Sequence, residues 1–170
     1  NTEVARIHDG GTTQSDTDMT AVAPGFGYKI PIMKVTADGG DKTVTLTAAE
    51  SGSIIQCDAD TNNITFTLPV IDAATKVGIT YTFVTTTAVN ASKTIKITTS
   101  GTDDADKFLM YGFNAATSVS DVAGDILTIP NSAAIGTVVK VISLDSGSGN
   151  AAEIWLAEVF GASAVTNTAS

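Results

Sequence analysis

In four short runs between residues 43 and 98 the chain alternates threonine with large apolar residues almost one for one. Val44 and Leu46 sit among Thr43, Thr45 and Thr47, and Ile64, Phe66 and Leu68 among Thr65 and Thr67. Ile79, Tyr81 and Phe83 flank Thr80 and Thr82, and Ile95 and Ile97 lie among Thr94, Lys96 and Thr98. Successive side chains of a strand point to opposite faces, so this period of two puts the apolar set on one face and the hydroxyls on the other. The pattern is wrong for a helix and predicts half-buried antiparallel strands. Threonine suits that role because its branched Cβ packs well on a pleated surface. The chain carries 27 threonines in 170 residues.

Turn-forming clusters punctuate these runs: Asp38-Gly39-Gly40-Asp41, Ser51-Gly52, Asp60-Thr61-Asn62-Asn63, Val89-Asn90-Ala91-Ser92 and Ser100-Gly101-Thr102-Asp103. Their residue types tolerate left-handed backbone or cap their own amides. Strand character returns over 124–130, 136–144 and 152–160, with Gly147-Ser148-Gly149-Asn150 as a hairpin turn between the last two. Lys107-Phe108-Leu109-Met110-Tyr111 fits either a strand or a short helical turn. An internal echo joins Ile64–Pro69, followed by a strand at Gly78, to Asp125–Pro130, followed by a strand at Gly136. Both units read as hairpins, with the proline at a strand end where a missing N–H costs nothing. Two copies do not make a solenoid or a propeller.

Residues 1–36 differ. The stretch from His8 to Thr20 is polar and has no period, and Pro24, Gly25, Gly27 and Pro31 interrupt residues 21–36. The expected organisation is an extended N-terminal arm over residues 1–36 and a β body over 37–170 ending in a short frayed tail. The arm's Val22, Phe26, Tyr28, Ile30 and Ile32 are too apolar for a free linker, which makes them the candidate partner-binding residues.

Charge narrows the function classes. Only 16% of residues are charged, against about 25% in ordinary soluble domains. The net charge is −9, and such a surface repels nucleic-acid phosphates and anionic lipid head groups, so neither is an expected partner. No apolar run is long enough for a membrane-spanning helix, and no leader of the charged-then-apolar kind is expected.

Catalytic chemistry finds little to use. The single histidine, His8, lies in the polar arm, away from any nucleophile motif. Cys57 is alone and reads as a small buried residue. Most carboxylates fall in turns, where aspartate usually caps its own backbone, leaving Glu50, Glu153 and Glu158 as isolated acids. No enzyme activity and no cofactor are expected. Asp16/Asp18 and Asp103/Asp104/Asp106 offer hard oxygen ligands at close spacing without EF-hand order, so a solvated acidic loop is the preferred reading over a cation site. Trp155, Tyr81, Tyr111 and Tyr28 could floor a sugar platform, although Ile154-Trp155-Leu156 reads better as core or interface.

Three segments resemble a β module of tailed-bacteriophage virion proteins: Leu46-Thr47-Ala48-Ala49-Glu50-Ser51-Gly52, Asn63-Ile64-Thr65-Phe66-Thr67-Leu68-Pro69 and Gly78-Ile79-Thr80-Tyr81-Thr82-Phe83-Val84. Residues 124–160, from Gly124-Asp125 to beyond Trp155, resemble the close of that module. The resemblance implies assembly, often as trimers, and no catalytic residues. The expected fold is all-β, an antiparallel sandwich or barrel of jelly-roll type with about eight or more strands. The expected function is that of a capsid decoration (cement) protein, located on the virion. It would bind the major capsid protein on the outside of a phage head and associate as a homo-oligomer, a trimer being favoured. The alternatives are a tail-fibre, tail-tip or adhesin domain, and a carbohydrate-binding β-sandwich module.

Overall fold

A computed structural model describes residues 30–71, 77–99, 107–114, 117–144, 154–161 and 165–168. The chain divides into a unit of residues 1–30 and a body of residues 31–170. The body holds every described strand.

The alternating runs do form strands, but they do not fold back as hairpins. β1 (Ile32–Thr36), β3 (Ser53–Asp58) and β5 (Thr80–Thr85) lie in one sheet. β2 (Lys42–Thr45), β4 (Ile64–Thr67) and β6 (Ile95–Thr98) lie in a second. The chain therefore changes sheet at each step along the first six strands. Within each sheet the neighbours β1–β3, β3–β5, β2–β4 and β4–β6 run parallel. This makes three stacked coils, each with one strand per sheet. Ile32 pairs with Ile54 and Lys42 with Ile64, an offset of 22 residues in both sheets. The next coil is longer, pairing Ile54 with Thr82 and Ile64 with Ile95.

The remaining strands are β7 (Lys107–Asn114), β8 (Thr117–Gly124), β9 (Ile126–Ile129), β10 (Val138–Leu144), β11 (Ile154–Gly161) and β12 (Thr166–Thr168). They close the stack with mostly antiparallel pairing. The seven-stranded sheet A runs β1-β3-β5-β10-β11-β7-β8, and the five-stranded sheet B runs β12-β9-β6-β4-β2. The all-β two-sheet fold is as expected. The exclusively antiparallel, jelly-roll ordering is not, because short turns carry the chain across the sandwich instead of back along the same sheet. The body also starts earlier than expected: Ile32–Thr36 is a paired strand, so residues 31–36 belong to the body and not to an arm. Lys107–Tyr111 is strand, within β7.

The Pro–Gly echo is structural, but its units are crossings and not hairpins. Each leads from sheet B to sheet A, β4 to β5 and β9 to β10. Gly78 and Gly136 enter sheet A at φ 85° and 84°, and Gly52, before β3, does so at 85°. A left-handed bend just before the strand suits glycine, which has no Cβ to clash.

Alternation fills the space between the sheets. Ile64 and Phe66 from β4, Ile95 and Ile97 from β6, and Tyr81 and Phe83 from β5 are all fully buried. Phe66 of sheet B meets Phe83 of sheet A at 4.9 Å between ring centroids, tilted by 56°. On the other side of sheet B, pairing sets Thr43, Thr65, Lys96, Thr128 and Thr166 in one row across five strands. A second row carries Thr45, Thr67 and Thr98.

The turns stack as well. Asn63 donates its backbone N–H to Asp41 Oδ1 at 3.0 Å and its amide to Oδ2 at 3.0 Å, while its own Oδ1 accepts the Thr94 N–H at 3.0 Å. One asparagine thus ties the same corner of three coils together. The Asn63 side-chain and backbone donors hold the Asp41 carboxyl below its ordinary 3.8. A depressed carboxylate stabilises the fold at pH above its unfolded value and loses that contribution as pH falls through its folded one. Stability of the native chain is therefore expected to drop as pH falls below about 4, and an Asn63→Ala chain should show a weaker dependence there in urea titrations across that range. Phe66→Ala, which empties the centre of the inter-sheet contact, should destabilise by about 3–5 kcal/mol in urea titration.

Candidate functional site

The candidate attachment residues lie on and before β1. β1 pairs with β3 on one side and has no described strand on the other, so its outer backbone groups form a sheet edge among the described residues. Ile32 starts this edge strand and is 64% exposed, and Ile30 is 56% exposed. Val35 and Met33 turn inward, Val35 into the buried core and Met33 against it. The local pattern Ile32-Met33-Lys34-Val35 therefore leaves an apolar side chain in water at an edge, where a purely structural strand would place a polar one. An edge offers unpaired N–H and C=O groups to any extended segment. Val22, Phe26 and Tyr28 lie outside the described residues, as do His8, Asp16, Asp18, Asp103, Asp104, Asp106 and Glu153.

Elsewhere the chemically able residues serve the fold. Cys57 is fully buried in β3, its Sγ donates to the Ile55 carbonyl at 3.6 Å, and burial pushes the thiol up to about 12. A thiol held protonated and out of reach is no nucleophile. Glu50 accepts the Thr47 backbone N–H at 2.7 Å and so closes the short 3-10 turn Ala48–Glu50. Asp58 accepts the Thr87 hydroxyl at 2.8 Å. Glu158 takes the Tyr111 hydroxyl at 2.5 Å and lies 3.6 Å from Lys140 Nζ, on the outer face of sheet A. That hydrogen bond to Glu158 raises the Tyr111 phenol above its ordinary value. Among the described residues no three acidic, histidine or cysteine side chains gather to hold a metal.

Burial takes Trp155 and Tyr81 out of any sugar platform. Trp155 and Tyr81 are both fully buried, packed at 6.2 Å between ring centroids. Tyr81 donates its hydroxyl to the Thr47 carbonyl at 2.6 Å, and burial with Glu50 nearby pushes its phenol up to about 12. Of the four aromatics considered for a platform, Tyr111 alone is exposed among the described residues.

No protein-family model, curated protein or solved structure matches the chain. No helix among the described residues is long and apolar enough to cross a membrane.

The free edge of β1 is partly visible in the sequence through Ile30 and Ile32. Its edge status is not, because it depends on a parallel pairing with β3 that no local signal announces. The burial of Cys57 and Trp155 sets two expected outcomes. Ellman's reagent should leave Cys57 unmodified in the native protein and titrate one thiol on denaturation. Acrylamide should quench Trp155 fluorescence several-fold less in the native than in the unfolded chain.

Proposed function

We propose that this chain is a non-enzymatic virion structural protein, a capsid decoration protein that binds the outer surface of a phage head and stabilises the shell. The observation that carries the proposal is the β1 edge, with exposed Ile32 at the start of the body. A partner's extended segment can add to such an edge through main-chain hydrogen bonds, with Ile32 providing side-chain grip. The body behind it supports the same reading. Its described acids include caps and hydrogen-bond acceptors, its only cysteine is inert, and its core is filled by large side chains. The resemblance of residues 43–160 to phage virion modules points in the same direction, and it brings the expectation of homo-oligomers and of a major capsid protein as partner.

The threonine rows of sheet B fit an outward surface. They keep a low-charge protein wetted without lysine-rich patches, and the net charge of −9 discourages contact between loaded particles.

The first measurement is the copy number of this chain relative to the major shell protein in purified particles. Hundreds of copies support decoration. A few to a few tens place it at the tail or a vertex and favour the tail-tip or adhesin alternative, while none removes the virion reading. Attachment is tested with a chain lacking residues 1–30 and with Ile32→Asp in the full chain. Both should remain folded, and both should lose binding to undecorated shells by at least about tenfold, the effect of removing a central apolar anchor. Unchanged binding by both would sink the assignment of attachment to this edge.

A further inference from the structure

The two outer faces of the sandwich differ sharply in character. Sheet B shows threonine rows, whereas sheet A shows apolar ones. β10 (VVKVISL) and β11 (IWLAEVFG) are apolar on both faces, a pattern that belongs to strands covered on both sides. Val139, Val141, Trp155, Ala157 and Val159 account for the inner face. On the outer face, pairing aligns Val84, Val138 and Phe160 in one row and Ile142, Leu156 and Leu109 in another. These side chains are half-buried by their neighbours except Phe160, which is 49% exposed. The described strands form two sheets and no third layer over this face.

Charge and area argue for what covers it. Between the two apolar rows runs Thr82–Lys140–Glu158–Tyr111, and toward its margins the face adds Lys34, Asp58 and Lys107, so among the described residues three cations and two anions stand on it in a chain of net charge −9. The charge of this surface is close to balanced on an acidic molecule, so two copies can approach here without the general repulsion between them. It is also self-complementary, since Lys140 of one copy can face Glu158 of the other. Six strands from β1 to β7 at about 4.8 Å spacing, each with about six residues at 3.3 Å, cover roughly 550 Å² in projection. Two such faces together bury roughly 1,100 Å², above the ~1,000 Å² that a specific interface needs.

We propose that the outer face of sheet A, centred on Val138, Ile142, Leu156 and Phe160, is a self-association surface that takes the same face of a second copy of this chain. The proposal stands on the composition of this face and is independent of the virion reading. It is tested by light scattering on the full chain after gel filtration, from about 1 to 100 µM, a range that spans ordinary dimer affinities. The wild type should run at twice 17.3 kDa. Leu156→Glu should run at 17.3 kDa, and Phe160→Ser should weaken association by at least about tenfold. Thr65→Glu, on the outer face of sheet B, should associate as the wild type does. Far-UV circular dichroism identifies folded variants. If Leu156→Glu does not fold, Phe160→Ser decides, because its side chain is already half in water. A wild type of 17.3 kDa at every concentration, or a folded Phe160→Ser chain that associates with unchanged affinity, would overturn the proposal.

Discussion

In a parallel stack a residue sits beside its counterpart one coil earlier, so every coil has to agree with the one before it about which positions are apolar. Val44, Phe66 and Ile97 meet in register in this way, as do Thr45, Thr67 and Thr98. A slip of one residue in any coil would place threonines in the core and isoleucines in water. The corner formed by Asp41, Asn63 and Thr94 fixes the register at the place where the chain turns, before each strand begins. Core packing depends on that register: with β4 and β5 in place, Phe66 and Phe83 face each other across the sandwich. The antiparallel strands β9 and β10 inherit their positions from the third coil, β9 on β6 and β10 on β5.

Much of this is legible in the sequence, and the limits have physical causes. For β2, β4, β5 and β6, strand existence and facing come from alternation alone, whereas β3, Ser53–Asp58, has no threonine period and goes unmarked. Topology does not come from alternation, which describes one strand and says nothing about its neighbour. Short turns suggest antiparallel hairpins, yet a short turn can equally carry the chain between sheets. The coil repeat is hidden by its uneven length, 22 residues between the first two coils and more between the next two. The Pro69 and Pro130 units are related, as their sequences suggest, but as crossings. The apolar neighbours of Trp155 mark it as core, and it is buried. Of the five candidate attachment residues, Ile30 and Ile32 lie among the described residues, and their exposure is a property of tertiary structure that no local pattern encodes.

The two outer faces show how one composition meets two demands. Threonine on sheet B supplies β propensity and wetting together, so few charges are needed there. On sheet A the same low charge leaves rows of valine, isoleucine and leucine with little polar cover. The proposed self-association face and the proposed attachment edge both belong to sheet A.

The stack has different ends. Beyond the third coil, β9 and β10 run against the coil direction, and β8 and β12 come together where the Asp125 N–H donates to the Thr168 carbonyl at 3.1 Å. At the opposite end the first coil presents β1 and β2 with no reversed strand beside them among the described residues. Parallel stacking is the geometry by which β chains elongate without limit, as in fibrils. The reversed strands break that parallel order at one end of the stack, so the continuous parallel geometry that fibrils repeat is confined to the first three coils.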